Sequence, residues 1–358
     1  MIAWTNYYRP HRFADLQLTS VREQMLQLQA GVNFPQVMLF AGPKGTGKTS
    51  TARILAATLN TPANKALIQQ CYLHPSGQKP ATGLADPELD QPGIMDILQG
   101  NSYAVVEIDA ASHRGIDDVR ALQEQVYVPP PLSQVLVYIL DEVHMFTAEA
   151  FNALLKVLEE PPAYAFFILA TTELHKIPAT VVSRCLVVNY RRASEDELVA
   201  NFERILTEQK LTADARALRQ IASLADGSFR DGVKLLQNVA QSGEISVAQV
   251  EKLLVGGLDQ QIETLVTITL NKDEQALVDY FANLRALNLD ESFFLKTLLT
   301  FLYDQLIANI KKTGPTKLNY KQTEFLLKKL IRVTPNTIVP YLELELTLLE
   351  IFSQAKKK

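Results

Sequence analysis

Apolar and polar positions along the chain fall into three stretches of different rhythm. Short apolar runs at residues 37–40, 104–108, 135–140 and 166–170 alternate with segments of helical character. The run Val135-Leu136-Val137-Tyr138-Ile139-Leu140 has no polar interruption. That pattern suits a strand buried on both faces of a parallel sheet, and the alternation predicts an α/β fold. Between about 61 and 95 the rhythm breaks. Pro62, Pro75, Pro80, Pro87 and Pro92 stand there with Gly77, Gly83 and Gly93, which predicts an inserted, mostly irregular module. After Pro178 strands become scarce. Residues 194–240 read as short helices: Ser194 is a predicted N-cap before Glu195-Asp196-Glu197, and Gly227-Ser228 separates two helical runs. Residues from about 245 to 355 are helical again. Asp290-Glu291-Ser292 opens a run rich in Phe and Leu, and a run from Tyr341 to Phe352 closes the chain.

The first apolar run leads into Gly42-Pro43-Lys44-Gly45-Thr46-Gly47-Lys48-Thr49. This fits the phosphate-loop pattern G-x-x-x-x-G-K-[ST] without a mismatch, and a helix-forming run from Ser50 onward supplies its second flank. Glycines let backbone N–H groups turn inward around phosphate oxygens, and the following helix adds its positive N-terminal end. Lys48 is expected to reach the β- and γ-phosphates and Thr49 to hold Mg²⁺ through its hydroxyl. The pattern predicts binding of a nucleoside triphosphate.

The run at 135–140 ends in Asp141-Glu142. A carboxylate there sits at the C-terminal edge of the sheet, where α/β folds bind ligands. Asp141 is expected to hold the Mg²⁺ hydration shell, and Glu142 to orient or deprotonate the attacking water. An acidic pair after a strand is weak evidence alone. Downstream of a complete phosphate loop it favours hydrolysis over passive binding.

Length and charge add limits. At 358 residues, 47% of them hydrophobic and 21% charged, the chain should form two or three packed domains. No segment has the length and apolarity of a membrane span, and residues 1–10 lack the apolar core of a secretory signal. Cys71 and Cys185 are the only cysteines, which implies no disulfide framework and suits a cytoplasmic location. A net charge of −4 does not advertise a nucleic-acid binder, although a local patch can act against an acidic background. The clearest basic stretch holds Lys311, Lys312, Lys317, Lys321, Lys328, Lys329 and Arg332 against Glu324 alone, and reads best as a solvated helix face.

Smaller motifs then add up. Glu107-Ile108-Asp109-Ala110-Ala111-Ser112 precedes the Asp-Glu strand, and Phe151-Asn152-Ala153-Leu154-Leu155-Lys156-Val157-Leu158-Glu159-Glu160-Pro161-Pro162 follows it. Leu169-Ala170-Thr171-Thr172 ends the next strand, and Ser183-Arg184-Cys185 comes soon after. Gly227-Ser228-Phe229-Arg230-Asp231 lies further on, and Tyr8-Arg9-Pro10 with Phe13 opens the chain. In this order they resemble the bacterial DNA polymerase III gamma/tau subunits, the ATPases of the sliding-clamp loader. The resemblance covers nearly the whole chain and is densest from residue 37 to 240.

The resemblance implies a P-loop AAA+ α/β domain at 1–178, with the 61–95 insertion inside it. A helical lid at 179–243 and an all-helical collar at 244–358 would follow. It implies ATP and Mg²⁺ as ligands, with Gly42, Gly45, Thr46, Gly47, Lys48, Thr49 and Ser50 around the phosphates. Thr172 would be the first sensor, Arg230 the second, and Arg184 an arginine finger acting in trans on a neighbour's ATP. A planar, permanently charged guanidinium suits that last task. Tyr8, Arg9 and Pro10 would cover the adenine base. Ser112, His113, Arg114 and Thr147 would touch DNA-backbone phosphates. The implied partners are delta-like and delta-prime-like subunits, further copies of this chain, the sliding clamp and primer–template DNA, with no membrane.

Three departures from the family pattern stand out. The family's four-cysteine zinc module is reduced to Cys71 with His74, too few ligands for a tetrahedral site, so zinc is expected to be absent. Leu18-Thr19 stands where the family has Gly-Gln, which leaves adenine-pocket details open. The chain ends near the close of the third domain, as in a gamma-length form. Two other functions stay open here: a Holliday-junction branch-migration motor, and a stator-like, delta-prime-like subunit that does not hydrolyse ATP. The Ser-Arg-Cys and FNALLKVLEEPP motifs argue against the first, and an intact Lys48-Thr49 against the second.

Overall fold

A computed structural model describes residues 3–75, 80–91, 93–131, 133–241, 243–250, 253, 257–286, 291–312, 316–335 and 339–356. Gly77, Pro92, Asp290, Lys357 and Lys358 lie outside the described residues. Two compact units result, Met1–Val247 and Ala248–Lys358.

The first unit is built on a five-stranded sheet. Its strands are β1 (Val37–Ala41), β2 (Val105–Asp109), β3 (Leu136–Asp141), β4 (Ala165–Thr171) and β5 (Leu186–Asn189). All pairings are parallel and the order is β2-β3-β4-β1-β5. The three inner strands are buried along almost their whole length, which is why their sequences are continuously apolar. The edge strands β2 and β5 are only partly buried. Pairing aligns Ala41 with Thr171 and Asp109 with Asp141, so the C-terminal ends of β1 to β4 share one edge of the sheet.

Helices of this unit follow in chain order. They are α1 (Trp4–Tyr7), α2 (Thr19–Gly31), α3 (Lys48–Asn60), α4 (Lys65–Ile68), α5 (Ile94–Gln99), α6 (Ile116–Val126), α7 (Ala148–Glu159), α8 (Ala179–Val182), α9 (Glu195–Gln209), α10 (Ala215–Leu224) and α11 (Phe229–Ala240). Leu122, Val126, Phe151, Leu154 and Leu158 of α6 and α7 pack on Tyr138, Leu140, Phe167 and Leu169 of the sheet. Ser194 accepts from the Glu197 amide and Ser228 from the Asp231 amide, so both are side-chain N-caps. A one-turn helix, α12 (Val247–Val250), follows.

Two features differ from the sequence reading. Strand β5 is absent from the predicted runs, because a four-residue half-buried edge strand leaves little periodic signal. The insertion is also less irregular at its start than expected. Residues 62–73 form consecutive helical turns, and Leu84, Ala85 and Asp86 are tied down by side chains rather than by secondary structure. Asn64 Nδ2 donates to the carbonyls of Thr58 (2.7 Å) and Ala85 (2.9 Å), and its Oδ1 accepts from the Ala85 amide (2.7 Å). Gln29 Nε2 donates to the Leu84 carbonyl and to Asp86, each at 3.0 Å.

The second unit contains α13 (Gly257–Asn271), α14 (Glu274–Ala286), α15 (Glu291–Lys311), α16 (Tyr320–Leu330) and α17 (Leu342–Lys356). Their core joins Leu265, Phe281, Phe294, Leu298, Tyr341 and Phe352. Lys328 of the basic stretch pairs with Glu324 one turn away, Lys329 with Glu350, and Lys317 with Glu263. No helix among the described residues is long and apolar enough to cross a membrane.

Candidate nucleotide-binding site

The loop from Gly42 to Gly47 joins β1 to α3, and its glycines are required by shape. Gly42 has φ +151°, and a Cβ there would lie 2.0 Å from the Tyr190 carbonyl oxygen. Gly45 has φ +77°, and its Cβ would lie 2.0 Å from Ser228 Oγ. No other residue fits either place. Lys48 opens α3 and is 7% exposed. Its Nζ donates to the carbonyls of Gly42 (2.7 Å) and Pro43 (2.9 Å), which curls the loop around the ammonium. Burial pulls the Lys48 amine below its ordinary range. Glu142 and Asp141 oppose that shift, and Arg230 and Lys44 add to it.

Asp141 ends β3. Its Oδ2 accepts from Thr49 Oγ1 at 3.3 Å and its Oδ1 from the Glu142 amide at 2.9 Å. A hydroxyl and a carboxylate oxygen side by side form a hard oxygen pair of the kind Mg²⁺ takes, so these residues fit the ion. Glu142 has left-handed backbone, φ +48° and ψ +42°. Its Oε2 accepts from Thr172 Oγ1 at 3.1 Å and from the Thr172 amide at 3.3 Å. The expected first sensor thus grips the expected water-activating carboxylate.

A cavity of about 280 Å³ lies above the loop. Gly45, Thr46, Gly47, Lys48, Thr49 and Ser50 line it from below, with Asp141 and Glu142 at one side. Arg230, Phe229 and Val233 of α11 line it from the lid, and Tyr8, Arg9 and Pro10 from the N-terminal arm. The Phe229 and Arg230 amides donate to the Gly45 carbonyl at 3.0 and 3.4 Å, so the start of the lid helix rests on the phosphate loop. The arm is fixed to the lid in turn. Trp4 donates its amide to Gln237 (2.9 Å), and Arg204 stacks over the Tyr8 ring at 5.9 Å. Leu18 also lines the cavity, while Thr19 begins α2. Burial, then Arg53 and Arg230, lower the Arg9 guanidinium, against the pull of Glu107. Together the walls offer a basic, half-open site with an apolar side, shaped for a nucleotide.

Arg184 is elsewhere. It lies between α8 and β5, outside the lining of the cavity, and donates to the Thr180 carbonyl and to Glu159 Oε1, each at 2.5 Å. The DNA-backbone candidates form one exposed group. Ser112 and His113 turn over the end of β2, with their amides on the Asp109 carbonyl. The Arg114 carbonyl accepts from the Thr147 amide at 3.2 Å, and α6 begins two residues further on, at Ile116. The Thr147 hydroxyl caps α7 by accepting from the Ala150 amide at 3.2 Å. Sequence reasoning did not single out Arg53, Arg204, Glu159 or His144. His144 alone carried a signal, since it follows Asp141-Glu142 within one turn.

A parallel sheet in this order, with a phosphate loop after β1, an Asp-Glu pair after β3 and a helical lid on the loop, defines a P-loop ATPase of the AAA+ type. Residues 20–194 match the family described as DNA polymerase III, delta subunit. Residues 197–244 match the DNA polymerase III clamp loader subunit, ATPase lid domain. The DNA polymerase III subunit tau of Bacillus subtilis is 35% identical over 314 residues, 86% of this chain and 52% of that protein. The subunit gamma of Buchnera aphidicola (subspecies Baizongia pistaciae) is 32% identical over 343 residues, 88% of this chain and 86% of that protein. The chain belongs to the DNA polymerase III gamma/tau subunit family. It spans about half the length of the tau relative and most of the gamma relative. A Thermotoga maritima RuvB structure shares 17% identity at a TM-score of 0.48, over 73% of this chain and 80% of that one. That likeness is too loose to bear on function.

Proposed function

We propose that this chain is the ATP-hydrolysing subunit of a DNA polymerase III clamp loader, which uses ATP binding and hydrolysis to load a sliding clamp onto primed DNA. The observation that carries the proposal is the gathering of one complete site: Lys48, Thr49, Asp141, Glu142 and Arg230 around a single cavity. The phosphate loop and Lys48 bind the phosphates. Glu142 orients the attacking water and takes its proton. Thr172 holds Glu142, and Arg230 reports the nucleotide to the lid. Thr49 and Asp141 would hold Mg²⁺, whose charge would neutralise phosphate oxygens. Tyr8, Arg9 and Pro10 enclose the base.

Arg184 serves a neighbouring subunit, a role supported by its position outside its own cavity. Ser112, His113, Arg114 and Thr147 meet DNA phosphates, reading shape rather than sequence. Residues 1–178 act as the motor domain, whose sheet β5 completes from the segment beyond; the helices that follow β5 up to residue 243 act as its lid and 244–358 as the collar. The collar holds the chain beside further copies and the delta-like and delta-prime-like subunits, in the cytoplasm. Zinc plays no part. Cys71 and His74 are the only Cys or His residues in the insertion, and metal analysis reading near one zinc per chain would overturn this point.

The deciding experiment is ATP turnover by the chain, alone and with its loader partners, with and without primed DNA. Turnover stimulated by primed DNA is expected. Nucleotide binding without turnover would instead mark a stator-like subunit.

A further inference from the structure

We propose that His144 is a positioning residue for the water-activating Glu142, and that Glu173 anchors it from behind. The inference rests on the ATPase reading above and deepens it.

His144 lies in the turn after β3, and its side chain is only 8% exposed. Its Nδ1 is 3.4 Å from Glu142 Oε2 and 3.1 Å from Thr171 Oγ1. Its Nε2 is 3.4 Å from Glu173 Oε1. Glu173 is in turn fixed on the far side. Lys176 Nζ donates to its Oε1 at 2.8 Å, and its own amide donates to Thr171 Oγ1 at 3.0 Å. His175 Nε2 stands 3.7 Å from its Oε2. A continuous polar chain, Glu173–His144–Glu142–Thr172, therefore spans the ends of β3 and β4.

One atom collects three of these contacts. Glu142 Oε2 faces the Thr172 hydroxyl, the Thr172 amide and His144 Nδ1. No hydrogen bond engages Oε1 among the described residues. Pinning Oε2 leaves Oε1 as the oxygen able to take a proton from water. The need for such a grip follows from the backbone. Glu142 holds a left-handed conformation that a side chain tolerates only when its surroundings impose it. The ring can donate to Glu142 and to Glu173 together only with a proton on each nitrogen, so it acts as an imidazolium whose orientation and charge the rear carboxylate fixes, as outer partners do in other sites. A buried histidine that merely filled space would not need a carboxylate oxygen within 3.4 Å of each nitrogen.

The test measures steady-state ATP hydrolysis and nucleotide affinity of the full chain carrying His144→Leu, His144→Asn, His144→Gln or Glu173→Gln. Loss of the outer partner is expected to lower kcat by about 10-fold or more, part of the ~10²–10⁴-fold that a positioned base contributes, with ATP affinity within about 2-fold of the parent. Asn carries a donor close to the place of Nδ1, whereas Gln reaches toward the place of Nε2. His144→Asn is therefore expected to recover most of kcat, and His144→Gln much less. Glu173→Gln, at a more exposed position, should lower kcat by only a few fold (~2–5-fold). Should His144→Leu not fold, the Asn–Gln contrast still decides. Unchanged kcat in His144→Leu, or Asn performing no better than Gln, overturns the positioning role while leaving the ATPase reading intact. Absence of any ATP turnover in the parent chain is a separate result, and it removes that reading together with this one.

Discussion

Around the nucleotide cavity the chain gathers buried polar side chains beside one loop; in the helical unit Ala248–Lys358 the buried polar side chains among the described residues, Glu291, Thr323 and Glu345, lie one to a helix. Lys48, Thr46, Thr51, Thr171 and Ser228 are all buried near the phosphate loop, and Glu142 is left-handed within the site itself. In the helical unit the core is Leu, Ile, Val, Phe and Tyr. Its left-handed residues Lys272 and Lys312 follow the ends of α13 and α15, where such turns are routine, and a third, Tyr341, precedes α17; of its buried acids Glu291 and Glu345, the second pairs with Arg285. The difference teaches what each region can lose. The cavity depends on a few polar atoms whose removal changes chemistry more than stability. The helical unit depends on volume, and its losses should appear as stability alone.

The largest test of this division concerns a residue of the first unit outside the cavity. Arg184→Ala is expected to leave nucleotide binding by the isolated chain nearly intact and to lower DNA-stimulated turnover of the assembly by ~10³-fold or more, as for other arginine fingers. Mixing Arg184→Ala with Lys48→Ala subunits should restore partial activity, because some interfaces then pair an intact loop with an intact finger. No recovery, in rings shown to assemble, would place the arginine in cis. Lys48→Ala comes next. Removing a buried cation that meets phosphate should weaken ATP binding by about 30-fold or more. Thermal stability should hold or rise, because burial works against the Lys48 charge in the folded chain. A marked fall in stability would mean that the loop's grip on Lys48 is structural, and the contrast between the regions would fail.

Much of the cavity was legible because its chemistry forces local shape. Gly42 and Gly45 cannot carry a Cβ, Ser194 and Ser228 cap helices by rules that act within four residues, and buried inner strands must be apolar. These constraints are written in short segments. Contacts between distant segments were not. Nothing near residue 53 announces that Arg53 meets Glu107 at 2.5 Å, and nothing near 184 names Glu159 as its partner. The 61–95 segment showed its prolines but not the contacts of Leu84, Ala85 and Asp86, since Asn64 and Gln29 hold them from up to 57 positions away. The edge strand β5 was missed for the complementary reason: four residues of mixed, partial burial leave no period to read.

A third test enters from the other side of the comparison. Leu298, at 2% exposure in the core of the helical unit, is expected to cost about 2–5 kcal/mol when replaced by Ala, since the cavity left behind refills only in part. Chemical denaturation of the full chain measures that loss. ATP affinity should stay within about 2-fold of the parent, because none of the cavity's lining residues comes from this unit. A loss of ATP affinity as large as the loss of stability would show that the helical unit shapes the site.

The smallest effect expected lies in the lid, where a polar cluster acts on stability rather than chemistry. Glu197 sits in the first turn of α9 and accepts from the Ser194 amide (2.9 Å) while Arg191 grips both its oxygens at 2.7 Å. Burial pushes its carboxyl up, but the Arg191 pair and the Ser194 amide outweigh burial and hold it below the ordinary glutamate range. A carboxyl lowered in the folded state adds stability above its unfolded pKa, about 4.3, and loses it as the pH falls through the folded value. Glu197→Gln keeps the reciprocal cap and removes only the charge. It should therefore lower the melting temperature slightly at pH 7, by the equivalent of ~1 kcal/mol or less, given a half-exposed Arg191 and screening by salt. The gap should narrow as the pH falls below about 4.3 and close once it lies below the lowered folded value, where the parent carboxyl is also neutral. ATP turnover at pH 7 should not move, since Glu197 is not among the residues lining the cavity. A gap that persists unchanged at low pH would assign the effect to the shape of the cap, and a change in turnover would extend the cavity's polar network into the lid.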